Sequence, residues 1–188
     1  MLNHKGTDVI NTDRLILRKF KLDDAKDMYK NWSSDSEVTK YLSWYAHPDV
    51  DFTKALITTW VSEYLHEDRY HWAIELKENS EVIGDIAVFN LKEKHESCEV
   101  GYCLSKSYWN EGIMSEALSS VIDYLFREVG INRIFAMHDP DNIASANVMI
   151  KNNMKYEGTL RNANKLKDSD EFNDLNIYSI LKSEYIKM

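Results

Sequence analysis

The chain has 188 residues, 44% hydrophobic and 12% aromatic, with 31 acidic against 23 basic side chains and a net charge of −8 with neutral histidines. That length suits one domain, 1–188, and that hydrophobic content can bury a core, which argues against intrinsic disorder. Acidity without a long basic run disfavours duplex nucleic acid as a ligand, and no apolar run exceeds the four residues of Ile86–Phe89 or Ile134–Met137, far below the roughly 20 needed to cross a bilayer.

In chain order, the first eight residues lack the apolar core of a secretory signal, so a cytoplasmic protein without membrane association is expected. Arg14–Phe20 reads as an opening strand. From about Leu22 a helical spacing links Ala25, Met28, Tyr29 and Trp32, and a second helix follows Pro48-Asp49, where Ala55, Leu56, Thr59, Trp60, Glu63 and Tyr64 recur at helical intervals. The period then changes: His71–Leu76, Val82–Phe89 and Cys98–Leu104, separated by polar turns, predict a three-stranded antiparallel meander.

Helical spacing returns in the stripe Ile113, Met114, Ala117, Leu118, Val121, Ile122, Leu125, Phe126 and Val129, with Gly130 placed for a left-handed C-terminal cap. Asn132–His138 reads as a short strand, Asp139-Pro140-Asp141-Asn142 as a turn capping a helix from about Ile143 to Asn153, and the tail as two strands around an acidic loop from Asp168 to Asp174. The pattern is mixed α/β without repeats or an interdomain linker.

Cys98 and Cys103 fall on one predicted strand, five positions apart and therefore on opposite faces, which predicts two reduced thiols. The six histidines show no metal-ligand spacing, so no metal is expected. Trp32, Trp44, Tyr45, Trp60 and Tyr64 could line a cleft, but aromatics at helical spacing more commonly form core. The acidic loop could attract a cationic peptide or polyamine, or be a solvated turn.

The informative junction is Leu104-Ser105-Lys106-Ser107-Tyr108-Trp109-Asn110-Glu111-Gly112-Ile113-Met114-Ser115. A strand passes through a glycine-containing turn into a long helix, whose first N–H groups lack intrahelical partners and whose dipole favours an anion. One glycine is neither a P-loop nor a dinucleotide fingerprint, so on spacing alone an ordinary turn and cap is the favoured reading.

Three segments taken together, Cys98-Glu99-Val100-Gly101-Tyr102-Cys103-Leu104, Tyr108–Leu118 and Asp141-Asn142-Ile143-Ala144-Ser145-Ala146-Asn147, resemble the GNAT superfamily of N-acetyltransferases. The Glu-Val-Gly-Tyr strand, the tryptophan ahead of the loop, Asn-x-x-Ser and the opening Thr12–Arg18 are similar to the branch that includes ribosomal-protein alanine N-acetyltransferases. The resemblance runs from about residue 12 to residue 186. It implies a mixed α+β acyl-CoA N-acyltransferase fold, a central, mostly antiparallel twisted sheet flanked by helices, and acetyl-CoA as co-substrate.

It also implies roles. The loop carries the family's place for the donor's pyrophosphate on Trp109, Asn110, Glu111, Gly112, Ile113, Met114 and Ser115, with Met114 standing where relatives have Gly or Ala. Lys151-Asn152-Asn153-Met154 departs likewise, Asn153 replacing a helix-end glycine. Glu99 corresponds to the carboxylate that takes the amine's proton through water; read alone, it is equally an exposed strand carboxylate or one that only holds the ammonium. Backbone N–H groups around Tyr102, Cys103 and Leu104 correspond to the oxyanion donors, Asn142 to a pantetheine contact, and Ser145 to the group that reaches the sulfur. Read alone, Asn142 is a helix cap and Ser145 a surface residue.

The expected acceptor is a primary amine, foremost a protein or peptide α-amino group, with a small amine such as a polyamine or aminoglycoside as the alternative. A non-catalytic acyl-CoA sensor is the reading from a different class. Either a monomer or a homodimer is compatible with the family.

Overall fold

The computed structural model describes residues 2–185; the last residue of the resemblance, 186, lies outside them. Eight strands form one sheet: β1 (Ile10–Asn11), β2 (Leu15–Arg18), β3 (His71–Leu76), β4 (Val82–Lys92), β5 (Ser97–Leu104), β6 (Arg133–His138), β7 (Lys155–Lys165) and β8 (Phe172–Leu181). Their order is β1-β2-β3-β4-β5-β6-β8-β7, antiparallel throughout except between β5 and β6. The parallel step requires a crossover, which the long central helix supplies.

The helices are α1 (Ala25–Met28), flanked by a 3-10 turn at Leu22–Asp24 and a π turn at Tyr29–Ser33, then α2 (Ser36–Thr39), α3 (Val50–Glu63), α4 (Ile113–Tyr124), α5 (Ile143–Lys151) and α6 (Lys182–Tyr185). Asp49 caps α3 by accepting the Phe52 N–H at 2.8 Å. The α4 stripe continues through a π turn, Leu125–Val129, and ends on Gly130 at φ +90°, with the Gly130 and Ile131 N–H groups both bonded to the Leu125 carbonyl.

Both sheet faces are packed. On one, Leu15, Leu17, Trp72, Ile86, Val100 and Ile134 meet the full α4 stripe; on the other, Phe20, Met28, Trp32, Ile57, Ala73 and Cys103 form a second cluster under α1–α3. Cys98 lies in the first cluster and Cys103 in the second, both free thiols, as strand alternation predicts. Trp32 is fully buried, and Trp44, Trp60 and Tyr64 pack against the second cluster, so four of the five flagged aromatics are core. Tyr45 is exposed and bonds the Lys167 carbonyl and Asp168.

Several boundaries differ from the sequence reading, among them the opening strand, which ends at Arg18 and not Phe20. β4 runs on to Lys92 because a bulge between Phe89 and Lys92 carries it past the turn, with Asn90 at φ +47°. α5 stops at Lys151, since Asn153 takes the left-handed conformation at φ +59°. The acidic loop is shorter than expected: β8 begins at Phe172, so Asp174 is a strand residue that accepts the Asn162 N–H.

Candidate active site

β5 and β6 pair only as far as the rung Glu99–Phe135, although β5 continues to Leu104 and β6 to His138. Past that rung the strands part, and a cavity of about 490 Å³ lies between them, lined by Val100–Leu104 on one side and by Met137 and His138 on the other. The start of α4 closes one end, and the first turn of α5 covers the middle.

The end at α4 presents backbone donors without partners among the described residues. Asn110 and Gly112 take left-handed conformations at φ +65° and +77°, which brings the loop sharply into the helix. The first α4 bond is Glu116 N–H to the Gly112 carbonyl, leaving the N–H groups of Ile113, Met114 and Ser115 without a partner among the described residues. Arg14 fastens this turn from outside: its Nε donates to Glu116 at 2.7 Å and its Nη1 to the Glu111 carbonyl at 3.0 Å. Trp109 folds the loop back, its indole N–H donating to the Leu104 carbonyl at 2.9 Å. Lys151 adds a cation to the lining.

Along the β5 wall, alternation decides which backbone groups face the cavity. Ser105 N–H bonds the Ile83 carbonyl on β4, so with regular register the N–H groups of Tyr102 and Leu104 turn to the split, and that of Cys103 to β4. Cys103 also lines the cavity, and its side chain belongs to the second cluster; burial, helped by Asp85, raises its thiol well above the ordinary value and keeps it protonated. Asn142 caps α5, its Oδ1 accepting the Ser145 N–H at 3.2 Å, and its Nδ2 makes no bond to a described residue. Ser145 Oγ lies 3.0 Å from the Tyr102 hydroxyl.

Of the residues singled out from sequence, Tyr102, Cys103, Leu104, Trp109, Asn110, Gly112, Ile113, Met114, Ser115, Asn142 and Ser145 all line this cavity. Glu99 and Glu111 do not. Glu111 is exposed and contributes only its carbonyl, to Arg14. Glu99 sits at the vertex of the split, three residues from Tyr102 and so on the opposite sheet face, where Asn90 donates to its Oε2 at 2.7 Å. On that face Phe89 is exposed, and Phe135 and Ile177 are half-buried.

His138 is a lining residue that sequence reasoning passed over. Its Nδ1 lies 2.7 Å from the Asp139 carbonyl, which can only accept, so Nδ1 carries a proton; no partner for Nε2 is found among the described residues. Its place two and four residues after the buried Ala136 and Ile134 was the available signal. Among the described residues, no group of three or more His, Cys, Asp or Glu side chains could hold a metal, and no helix is long and apolar enough to cross a membrane.

The arrangement can hold a diphosphate at the α4 end and an extended, largely apolar arm along β5, with hydrogen-bond donors spaced beside it. Acetyl-CoA has that shape and charge distribution. The family pattern for the acetyltransferase (GNAT) domain matches residues 14–155. The chain is 34% identical to the uncharacterized N-acetyltransferase p20 of Bacillus licheniformis, over 95% of this chain and 98% of that protein. It is 29% identical to the ribosomal-protein-serine acetyltransferase of Escherichia coli, over 61% of this chain and 63% of that one. The crystal structure of a GNAT-family acetyltransferase from Bacillus anthracis superposes with a TM-score of 0.81 at 26% identity, covering 94% of this chain and 99% of the other.

Proposed function

The chain belongs to the GNAT acetyltransferase family, whose members use acetyl-CoA, and from that premise we propose that it acetylates the α-amino group of a protein or peptide by direct transfer in a ternary complex. The observation that carries this reading is the division of labour across the β5–β6 split: Glu99 faces one side of the sheet, Tyr102 and Ser145 the other. An amine arriving on the Glu99 face and a thiol departing on the Ser145 face need not compete for space.

The bound donor supplies an activated acyl thioester. The chain's residues do the rest in this reading. The free N–H groups of Ile113, Met114 and Ser115 hold the diphosphate, and the unbonded Asn142 Nδ2 donates to the arm. The amine, with a pKa of about 10 if lysine-like, is mostly protonated at neutral pH, and Glu99 takes its proton through water. Asn90 fixes one Glu99 oxygen and leaves the other for that task. The N–H groups of Tyr102 and Leu104 face the place where negative charge develops on the acyl oxygen. Ser145 delivers a hydrogen bond to the departing sulfur. Cys103, kept protonated by burial, is not poised as a nucleophile, which favours direct transfer over an acyl-enzyme.

A peptide or protein acceptor is favoured because the Glu99 face carries the exposed Phe89 beside half-buried Phe135 and Ile177, apolar side chains that a peptide can lie against. The name of the Escherichia coli relative points the same way. In this reading residues 12–186 work as one acetyltransferase domain. The test is thiol release from acetyl-CoA with N-terminal peptides, polyamines and aminoglycosides as rival acceptors. Release with peptides is expected; release with small amines alone would replace the acceptor, and tight binding without release from any would make the protein a sensor.

A further inference from the structure

The Tyr102 hydroxyl stands 3.0 Å from both oxygens of Ser145, the carbonyl and Oγ. A phenol has one hydrogen, and a carbonyl can only accept. Two arrangements therefore exist in which the hydroxyls of Tyr102 and Ser145 are bonded to each other. In one, Tyr102 donates to the carbonyl and the Ser145 hydroxyl donates back to Tyr102, which turns the serine hydrogen away from the cavity. In the other, Tyr102 donates to Ser145 Oγ, and the serine hydrogen is free to point into the cavity. Only the phenolic hydrogen and the serine hydrogen rotate between them; no heavy atom moves.

We propose that Tyr102 is a positioning residue that sets the direction of the Ser145 hydroxyl, turning its hydrogen toward the sulfur when the donor is bound. The inference rests on the reading of Ser145 given above and extends it to a residue whose backbone alone had been assigned a part. Three observations support it. Tyr102 lies on β5, at the wall of the split, and Ser145 on the first turn of α5, so the contact ties the two walls of the cavity together. Burial raises the phenol's pKa, so the hydrogen stays on Tyr102 and is available to either oxygen. The backbone N–H of Ser145 is already bonded to Asn142, so its Oγ direction is the remaining freedom at this residue.

The test compares binding of CoA with that of desulfo-CoA by calorimetry, for the wild type, Tyr102→Phe, Ser145→Ala and the double variant. One neutral hydrogen bond to the sulfur is worth about fivefold in affinity. The wild type is expected to prefer CoA by about that factor. Tyr102→Phe keeps the ring and loses only the hydroxyl; it should lose the preference while binding desulfo-CoA as the wild type does. Ser145→Ala should lose it equally, and the double variant should lose no more, because the two residues act as a unit. A Tyr102→Phe protein that keeps the wild-type preference overturns the proposal and leaves the acetyltransferase reading intact. So does one that fails to fold, which would give the hydroxyl a structural role. A wild type that binds neither ligand overturns both.

Discussion

A carboxylate that takes a proton from an ammonium must be reachable and held still, and Glu99 meets both needs from outside the cavity. It is half-exposed at the last paired rung of β5 and β6, with one oxygen tied to Asn90 on the β4 bulge. Glu99→Gln keeps the shape and removes the base; kcat should fall by about 10²–10⁴ while calorimetric affinity for CoA stays unchanged. Unchanged turnover would remove Glu99 from the chemistry. Met114 has two roles to weigh. The residue is only 5% exposed and belongs to the core cluster under α4, while it also lines the cavity. Met114→Ala should cost about 2–4 kcal/mol in chemical denaturation without tightening CoA binding. A gain in CoA affinity with no loss of stability would mean that the side chain obstructs the site. The two cysteines were legible because strand parity is a local rule. For His138 the same parity was a signal that sequence reasoning did not use, and its tilted ring contact with Tyr178 at 5.5 Å, from β8, could not be foreseen locally.

At the scale of elements, the α4 stripe was readable because every one of its apolar positions meets the sheet. The breakdown of the first helical region into 3-10, α and π pieces was not, because apolar spacing reports which face is buried and says little about which carbonyl each N–H selects. The bulge that aims Asn90 at Glu99 was equally hidden, since it depends on how two strands pair. The far edge of the sheet is tied by a polar ladder: Arg133 on β6 donates to Ser179 on β8 at 2.9 Å and to Glu157 on β7 at 2.6 Å. The Arg133 guanidinium holds the Glu157 carboxyl at about 2, well below its ordinary value. A depressed carboxylate stabilises the fold above its unfolded pKa, and that contribution fades as pH falls from about 5 toward 2. The urea midpoint of the wild type should therefore fall more steeply across that window than that of Glu157→Gln. Parallel slopes in the two proteins would show that the ladder adds nothing to acid stability.

On the scale of the whole molecule, the sheet separates two packed layers, and its single parallel joint is where the cavity opens. The mixed α+β class and the order of elements could be read from the change of period along the chain. The sheet order, which inserts β8 between β6 and β7, could not, because strand pairing is a long-range matter and β7, exposed along nearly its whole length, has no buried face to place it. The motif residues pointed to the split, yet only the folded chain places Glu99 and Ser145 on opposite faces of β5. The most direct test of this account is amide hydrogen exchange with and without acetyl-CoA. Binding should slow exchange at Tyr102 and Leu104 on β5 and at Ile113, Met114 and Ser115 at the start of α4, while β1–β3 are unaffected. Protection confined to other segments, or none at all at saturating acetyl-CoA, would contradict the assignment of the β5–β6 split as the donor site.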